Sequence, residues 1–244
     1  MFKVTERKSR FGTITVLQTK KTGSLIYSQG DYFQSEADGS GTSLIPYIHG
    51  FYGLLRQAGS ENVLMIGCGG GTLATMLAKG GCKVTVVDVN PHAFLLARQY
   101  FALPASVVCR VADGCHFLLS EGQIFDAVIL DAFAGDRIPE HLRSLAFFRL
   151  VRARLSPAGV IFANVHVRND TDGAADRVAT EMSHVWNDVR LLDLKGQTNR
   201  NAIVMAGQVS ELAKPALTMR PDMSADEIVS ELDAMQFRPW HAHS

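Results

Sequence analysis

Val63-Leu-Met-Ile-Gly67-Cys-Gly69-Gly-Gly71-Thr72 carries four apolar residues straight into a glycine-rich turn with Gly67, Gly69 and Gly71 at alternate positions. Such a run reads as a buried strand ending in a turn where only hydrogen fits beside the backbone, so a ligand can approach the main chain closely. Its partner is Lys83-Val-Thr-Val-Val-Asp88, a second apolar strand that ends in a carboxylate. An acidic residue about 20 positions after the first glycine, at the tip of the next strand, commonly binds a ribose diol. A G-x-G-x-G string alone also serves as a ligand-free strand-to-helix connection. With strand, helix, second strand and Asp88 in register, the pattern points to a nucleoside cofactor. The dinucleotide fingerprint places Gly or Ala at its sixth position. Thr72 stands there instead, which favours an S-adenosylmethionine-type site over NAD.

Working outward, strand and helix patterns alternate from residue 61 onward. Strands are expected near 61–66, 83–88, 106–111, 125–130 and 158–165, with helices near 72–79, 91–101, 114–120, 140–155 and 172–187. That order predicts a Rossmann-like α/β fold, a mostly parallel sheet with helices on both faces. Two further strands, 189–193 and 201–206, complete the sheet, and 224–236 forms an amphipathic helix. Residues 1–44 form a small antiparallel β unit with strands in 11–17 and 24–28 and a third at Tyr32–Gln34. It is too small to stand alone and must dock elsewhere. The polar, Gly-rich stretch 35–43 reads as a flexible connection, and Pro239 onward as a frayed end. The expected organisation is thus 1–44 (β-hairpin unit), 45–210 (cofactor domain) and 211–244 (C-terminal helix and tail).

Ligands of open α/β sheets lie outside the carboxyl ends of the strands. Those tips carry Gly67, Asp88, Asp113-Gly114, Asp131 and Asn164–His166. One Asp at such a place is commonly a helix cap, and Asp113 could cap the helix of Phe117 and Leu118. Three in series on one edge point to function. Asp131 follows the apolar strand Phe125–Leu130, where a carboxylate can accept a proton or hold a substrate amine without being swamped by solvent. His166 is the one histidine at this edge, a candidate for orienting substrate. No histidine pair has metal-ligand spacing, so no metal is expected beyond adventitious binding by His241 and His243 in the tail. Neither a nucleophile-elbow serine motif nor a P-loop lysine is present.

The 24 basic residues balance the 24 acidic ones, which gives no sign of a nucleic-acid partner. No apolar run reaches the ~20 residues of a membrane span. The amino-terminal residues lack the apolar core of a signal peptide. Cys68, Cys82, Cys109 and Cys115 show no C-x-x-C spacing and read as reduced thiols of a cytoplasmic protein.

The order of these motifs resembles the spermidine synthase (polyamine aminopropyltransferase) family, which shares its fold with class I methyltransferases. The resemblance runs from about Ser9 to Ala206. It is carried by Ser9-Arg-Phe-Gly12, by the hairpin Ser24-Leu-Ile-Tyr27 to Tyr32-Phe-Gln34, and by Gly67–Thr72. Val87-Asp88, Asp113-Gly114, Phe125–Asp131 and Phe147-Phe148 through Gly159 continue it. The resemblance implies aminopropyl transfer from decarboxylated S-adenosylmethionine to a small-molecule amine acceptor, in a homodimer. It assigns Gln34, Gly67, Gly69, Gly71, Asp88, Asp113 and Gly114 to the cofactor and Asp131 to catalysis; Asp136 and Glu36 are candidates to stand in for the family's missing acceptor carboxylates, and His166 is an acceptor contact by its strand-tip position. This chain has Gly70 where the family has an acidic residue beside the aminopropyl group, and Ala134 where a second carboxylate follows the catalytic one. Those departures keep two other expectations open: a methyltransferase using intact S-adenosylmethionine, and a non-catalytic adenosyl-binding relative.

Overall fold

In the computed structural model, which describes residues 1–120 and 122–241, the four apolar residues of the opening stretch lie in a central strand. The elements in chain order are β1 (Phe2–Ser9), β2 (Gly12–Gln18), β3 (Leu25–Gln29), β4 (Tyr32–Ala37) and α1 (Pro46–Gln57). There follow β5 (Asn62–Ile66), α2 (Thr72–Lys79), β6 (Lys83–Asp88), α3 (Pro91–Tyr100), β7 (Val108–Val111), α4 (Gly114–Ser120) and β8 (Phe125–Leu130). A 3-10 turn (Glu140–Arg143), α5 (Leu145–Ala153), β9 (Leu155–Val167) and α6 (Ala174–Ser183) come next. The chain closes with β10 (Val189–Asp193), β11 (Arg200–Gly207), α7 (Ala225–Ala234) and β12 (Gln236–Arg238).

The large sheet has the order β12-β10-β11-β9-β8-β5-β6-β7. From β9 to β7 all neighbours are parallel, while β11, β10 and β12 add antiparallel pairings at one side. Helices pack on both faces, and the side chains of β5 show why. Val63 and Met65 enter one apolar core with α1 and α2, whereas Leu64 and Ile66 enter the other with α4 and α5. Successive strand residues point to opposite faces, so a continuous apolar run is what a strand covered on both sides requires. All four are at most 2% exposed, and burying each contributes about 1.5–3 kcal/mol.

The chain builds outward from β5 through β6 to β7, then crosses back to lay β8 on the other side of β5. That reversal opens a crevice at the carboxyl ends of β5 and β8, the place where doubly wound sheets bind ligands.

The amino-terminal strands form their own antiparallel sheet, β1-β2-β3-β4. It docks by burying Ile14, Val16, Tyr27 and Ala37 in the first core, with Tyr27 edge-on to Phe101. The strand β1 adds to the expected set, because Lys3, Glu6, Arg7 and Lys8 mask its pattern. It is an outer strand, where charges are tolerated and discourage edge-to-edge pairing. Three other expectations are corrected. Residues 35–43 are not a flexible connection, since Asp38, Thr42 and Ser43 are buried. The Asp38 carboxylate accepts hydrogen bonds from the Ser40 and Thr42 amides, the Ser40 hydroxyl and the Asp222 amide, tying the turn to the carboxyl-terminal segment.

The helix expected over 140–155 is broken at Ser144, which caps α5 by accepting from the Phe147 amide. Pro157-Ala-Gly159 lies inside β9 as a bulge, where the partners of β8 jump from Leu155 to Val160. The carboxyl end is pinned as far as the description goes. Arg238 makes a bidentate pair with Asp176 and a further bond to Asp193, and the His241 amide donates to Asp176. His243, the other tail histidine, lies outside the described residues.

Candidate active site at the switch point

Gly67 leaves β5 with φ of +103°, and a Cβ at that position would run into the carbonyl of Asp131. The glycine therefore lets the tips of β5 and β8 close on one another. The Gly67 amide donates to Val87 and the Asp131 amide to Ile66, so three strand tips are locked together. Asp88 and Asp131 end the two strands that flank β5, roughly 10 Å apart by strand spacing, with the glycine turn between them.

Asp88 accepts from the Cys68 amide at 2.9 Å through one oxygen and from the Asn90 amide at 2.7 Å through the other. Burial raises its pKa above the usual carboxylate value against those two bonds. Each oxygen retains lone-pair capacity for a further donor such as a ribose hydroxyl. Just past Asp88 in the chain a cleft of roughly 340 Å³ is lined by Val89, Asn90 and Pro91 together with Val111 and Phe11; Asp88 itself is not part of its wall.

Asp113 caps α4 through the Cys115 and His116 amides, and its second oxygen lies 2.7 Å from His141 Nε2. Burial acts to raise Asp113, but the His141 contact and the amide bonds outweigh it and hold the carboxyl below its ordinary range. Gly114 opens α4 and is packed so tightly against Ile66 that a Cβ there would stand 2.8 Å from its side chain. Asp113, Cys115 and His141 also bring three potential metal-ligand atoms within 4.8 Å of one another. Sequence spacing holds no hint of that group, because His141 comes from the distant 3-10 turn.

Asp131 is partly exposed at the tip of β8. Burial pushes its carboxyl up to about 6, against a hydrogen bond from Asn164. Asn164 Nδ2 donates to Asp131 Oδ1 at 2.8 Å, while Asn164 Oδ1 accepts from Asn201 Nδ2 at 2.9 Å. Asn164 is fully buried, so this amide cannot turn away and the carboxylate is held in one orientation. Tyr47, in the first turn of α1, is buried beside Asn164 and Asp131. Burial first, and the Asp131 charge second, raise its phenol well above the ordinary value. Tyr47 stays neutral and Asp131 faces a wall of uncharged polar groups. From sequence, Asn164 is a strand-tip residue without a role, and Tyr47 looks like any core aromatic at a helix start.

The remaining candidates stand apart. Gln34 sits where the β3–β4 pairing slips between Tyr27 and Ser28. His166 lies two residues beyond Asn164 on β9, partly buried and in register with Asn201. Asp136, expected to hold the acceptor, spends its carboxylate on Arg168 at 2.9 Å, which lowers its pKa. Glu36, another possible stand-in, is taken by the Ser24 hydroxyl at 2.6 Å. A residue without an expected role, Ser35, touches the turn directly: its Oγ accepts from the Gly70 amide at 2.9 Å.

A glycine turn leading into a helix, an acid on the next strand and a switch-point crevice on this sheet define a Rossmann-like α/β domain with its ligand edge at the tips of β5, β6 and β8. The family model for a methyltransferase domain matches residues 63–159, from β5 to the bulge in β9. Among curated proteins, the chain is 34% identical over 119 residues to a polyamine aminopropyltransferase of Vibrio vulnificus, covering 46% of this chain and 40% of that protein. It is 29% identical over 146 residues to a probable polyamine aminopropyl transferase of Bifidobacterium longum, covering 58% of this chain and 33% of the relative. The match thus spans well under half the length of either relative. A probable spermidine synthase from Corynebacterium glutamicum superposes with a TM-score of 0.78 at 23% identity, covering 96% of this chain and 90% of the other. Over about half its length the chain is thus similar to polyamine aminopropyltransferases, and it shares the fold of a solved probable spermidine synthase.

Proposed function

We propose that this chain transfers an aminopropyl group from decarboxylated S-adenosylmethionine to a small-molecule amine. The observation that carries the reading is Asp131, a carboxylate fixed by Asn164 at the tip of β8, across the glycine turn from Asp88. The similarity to proteins named polyamine aminopropyltransferase supports it. In this reading Asp88 takes the ribose hydroxyls and the adenine lies towards Asp113 and Gly114. Gly67, Gly69 and Gly71 let the sulfur-bearing arm pass close to the backbone, and Gln34 closes over the same ligand.

The acceptor nitrogen attacks the carbon next to the sulfonium. A C–N bond forms, the C–S bond breaks with its electrons going to sulfur, and methylthioadenosine leaves. The proton lost by nitrogen passes to Asp131, whose raised pKa makes it a better base than an exposed carboxylate. Asn164 and Asn201 orient that base. His166 lies at the rim, where it could meet the far end of the acceptor. With Asp136 already paired to Arg168, Asp131 carries the burden of holding the amine.

A second reading, methyl transfer from intact S-adenosylmethionine, draws support from the uncharged turn at Gly70 and from the methyltransferase family model. We take residues 1–44, 45–210 and 211–244 as the functional divisions, and the protein as a cytoplasmic homodimer that engages no nucleic acid. Among the described residues, no helix is long and apolar enough to cross a membrane.

The reading is tested by incubating the protein with each donor and a panel of mono-, di- and triamines, then weighing the products by mass spectrometry. Addition of an aminopropyl unit supports the first reading and addition of a methyl group the second. Firm adenosyl binding without any product would mark a non-catalytic relative.

A further inference from the structure

We infer that Asp113, Cys115 and His141 form a binding site for a zinc-type divalent cation at the carboxyl edge of the sheet. The inference stands apart from the donor reading above and does not depend on it.

The three residues lie far apart in sequence spacing but converge in the fold. One ligand atom from each side chain lies within 4.8 Å of the other two. Around a tetrahedral zinc ion with bonds of about 2.0–2.3 Å, such atoms stand about 3.3–3.8 Å apart. Side-chain shifts of about 1 Å therefore complete the site. The His141 side chain is 54% exposed, so its 2.7 Å contact with Asp113 Oδ2 is free to open and admit the ion. The backbone already holds the ligands in place. Leu142, next to His141, is buried against Gly114, and Cys115 Sγ lies 3.8 Å from the His141 carbonyl oxygen. Asp113 caps α4 through Oδ1 alone, so Oδ2 can ligate without uncapping the helix.

A carboxylate and an imidazole by themselves make only an ion pair, and the thiol decides the cation. Cys115 is a free thiol. Thiolate, imidazole and carboxylate together suit zinc, whereas hard ions such as magnesium and calcium take oxygen ligands. The cation takes the place of the proton shared by Asp113 and His141 and releases the Cys115 thiol proton to solvent. Three protein ligands leave a fourth position for water. Asp113 and Cys115 belong to the start of α4 and His141 to the 3-10 turn, so the ion would tie that turn to the helix. It would thereby anchor the far end of the loop that follows Asp131.

Cobalt is the probe, because it enters zinc sites and its bond to a thiolate gives a charge-transfer band in the near ultraviolet. The full chain, freed of metal with a chelator, is titrated with Co²⁺ and then with Zn²⁺. Wild type should bind a single cobalt ion with the thiolate band and the visible bands of a tetrahedral ion, and zinc should abolish both. Cys115→Ser should lose the thiolate band. Both Cys115→Ser and His141→Ala should weaken zinc by at least about tenfold, since groups behind metal ligands are already worth 10–100-fold. Zinc should also raise the melting temperature of wild type more than that of either variant. A double variant, His241→Ala with His243→Ala, should bind as wild type does. No thiolate band in wild type, or a band that survives Cys115→Ser, would overturn the inference. So would zinc binding that survives His141→Ala and is lost with the tail histidines. Should Cys115→Ser fail to fold, His141→Ala decides: an unchanged zinc affinity overturns the inference and a tenfold loss supports it.

Discussion

Replacing Asp131 by Asn should stabilise the protein at pH 8 and change its stability far less at pH 4. The carboxyl is raised from 3.8 to about 6, chiefly by burial. The native state therefore holds a proton that the unfolded chain releases between those two values. Well below 3.8 both states are protonated and Asp131 contributes no penalty, and at pH 4 only a small part of it is present. As the pH rises through 4 to 6, the unfolded state binds fewer protons than the native one, so stability falls. Above about 6 the full penalty is present. Raising the carboxyl from 3.8 to about 6 corresponds to roughly 3 kcal/mol. The side chain keeps some contact with solvent, which screens the charge, so about 1–2 kcal/mol is the expected difference.

The substituted amide keeps the shape of the carboxylate and still accepts the Asn164 hydrogen bond through its own Oδ1, so no new cavity enters the comparison, and any cost of the new NH2 group is the same at every pH. The assay is urea unfolding of both proteins at pH 4, 5, 6, 7 and 8, with equal m-values required before free energies are compared. The gain of the variant should grow with pH and level off above about 6. A difference that is flat with pH, or that favours the wild type at pH 8, would refute the claim that Asp131 is a desolvated base. The same substitution should lower turnover by about 10²–10⁴-fold, the usual worth of general-base assistance.

Asp88→Ala should weaken methylthioadenosine by about tenfold to a hundredfold in titration, since it removes charge-assisted bonds worth about 1.5–3 kcal/mol. It should also lower the melting temperature, because the Cys68 and Asn90 amides lose their acceptor. Asn164→Leu should lower kcat by at least about tenfold while shifting KM little, as the base loses its orienting partner but the ligand contacts remain. A large rise in KM with kcat intact would contradict that assignment. Gly67→Ala should cost about 3 kcal/mol or more in denaturant unfolding, because the new methyl meets the Asp131 carbonyl at a φ that non-glycine residues avoid.

The parallel half of the fold is legible in the sequence because its strands are buried on both faces. The runs Val63–Ile66, Lys83–Asp88 and Phe125–Leu130 announce themselves without any long-range information, and the residues after them fall on the ligand edge by topology. The outer elements are not legible, for the opposite reason. In β1 the charges of an edge strand hide the period, and β12 is three residues held by Arg238 pairing with two acids from distant elements. The Gly- and Ser-rich stretch before α1 looks loose, yet Asp38 gathers four donors and buries it. The carboxylates of the candidate site can be read from strand ends. Their surroundings cannot, because Ser35, Tyr47, Asn201 and His141 come from four separate parts of the chain. Nor does the sequence tell that Asp136 and Glu36 are spent on Arg168 and Ser24.

The role given to Asp131 is tested most directly by the rate at which methylthioadenosine appears from decarboxylated S-adenosylmethionine, with and without an amine, for the wild type and for Asp131→Asn. The wild type should release it in an amine-dependent way, and the variant should lose at least about a hundredfold of that rate while still binding methylthioadenosine normally. No amine-dependent release from a wild-type protein that binds the donor, or equal release by the two proteins, would contradict that role.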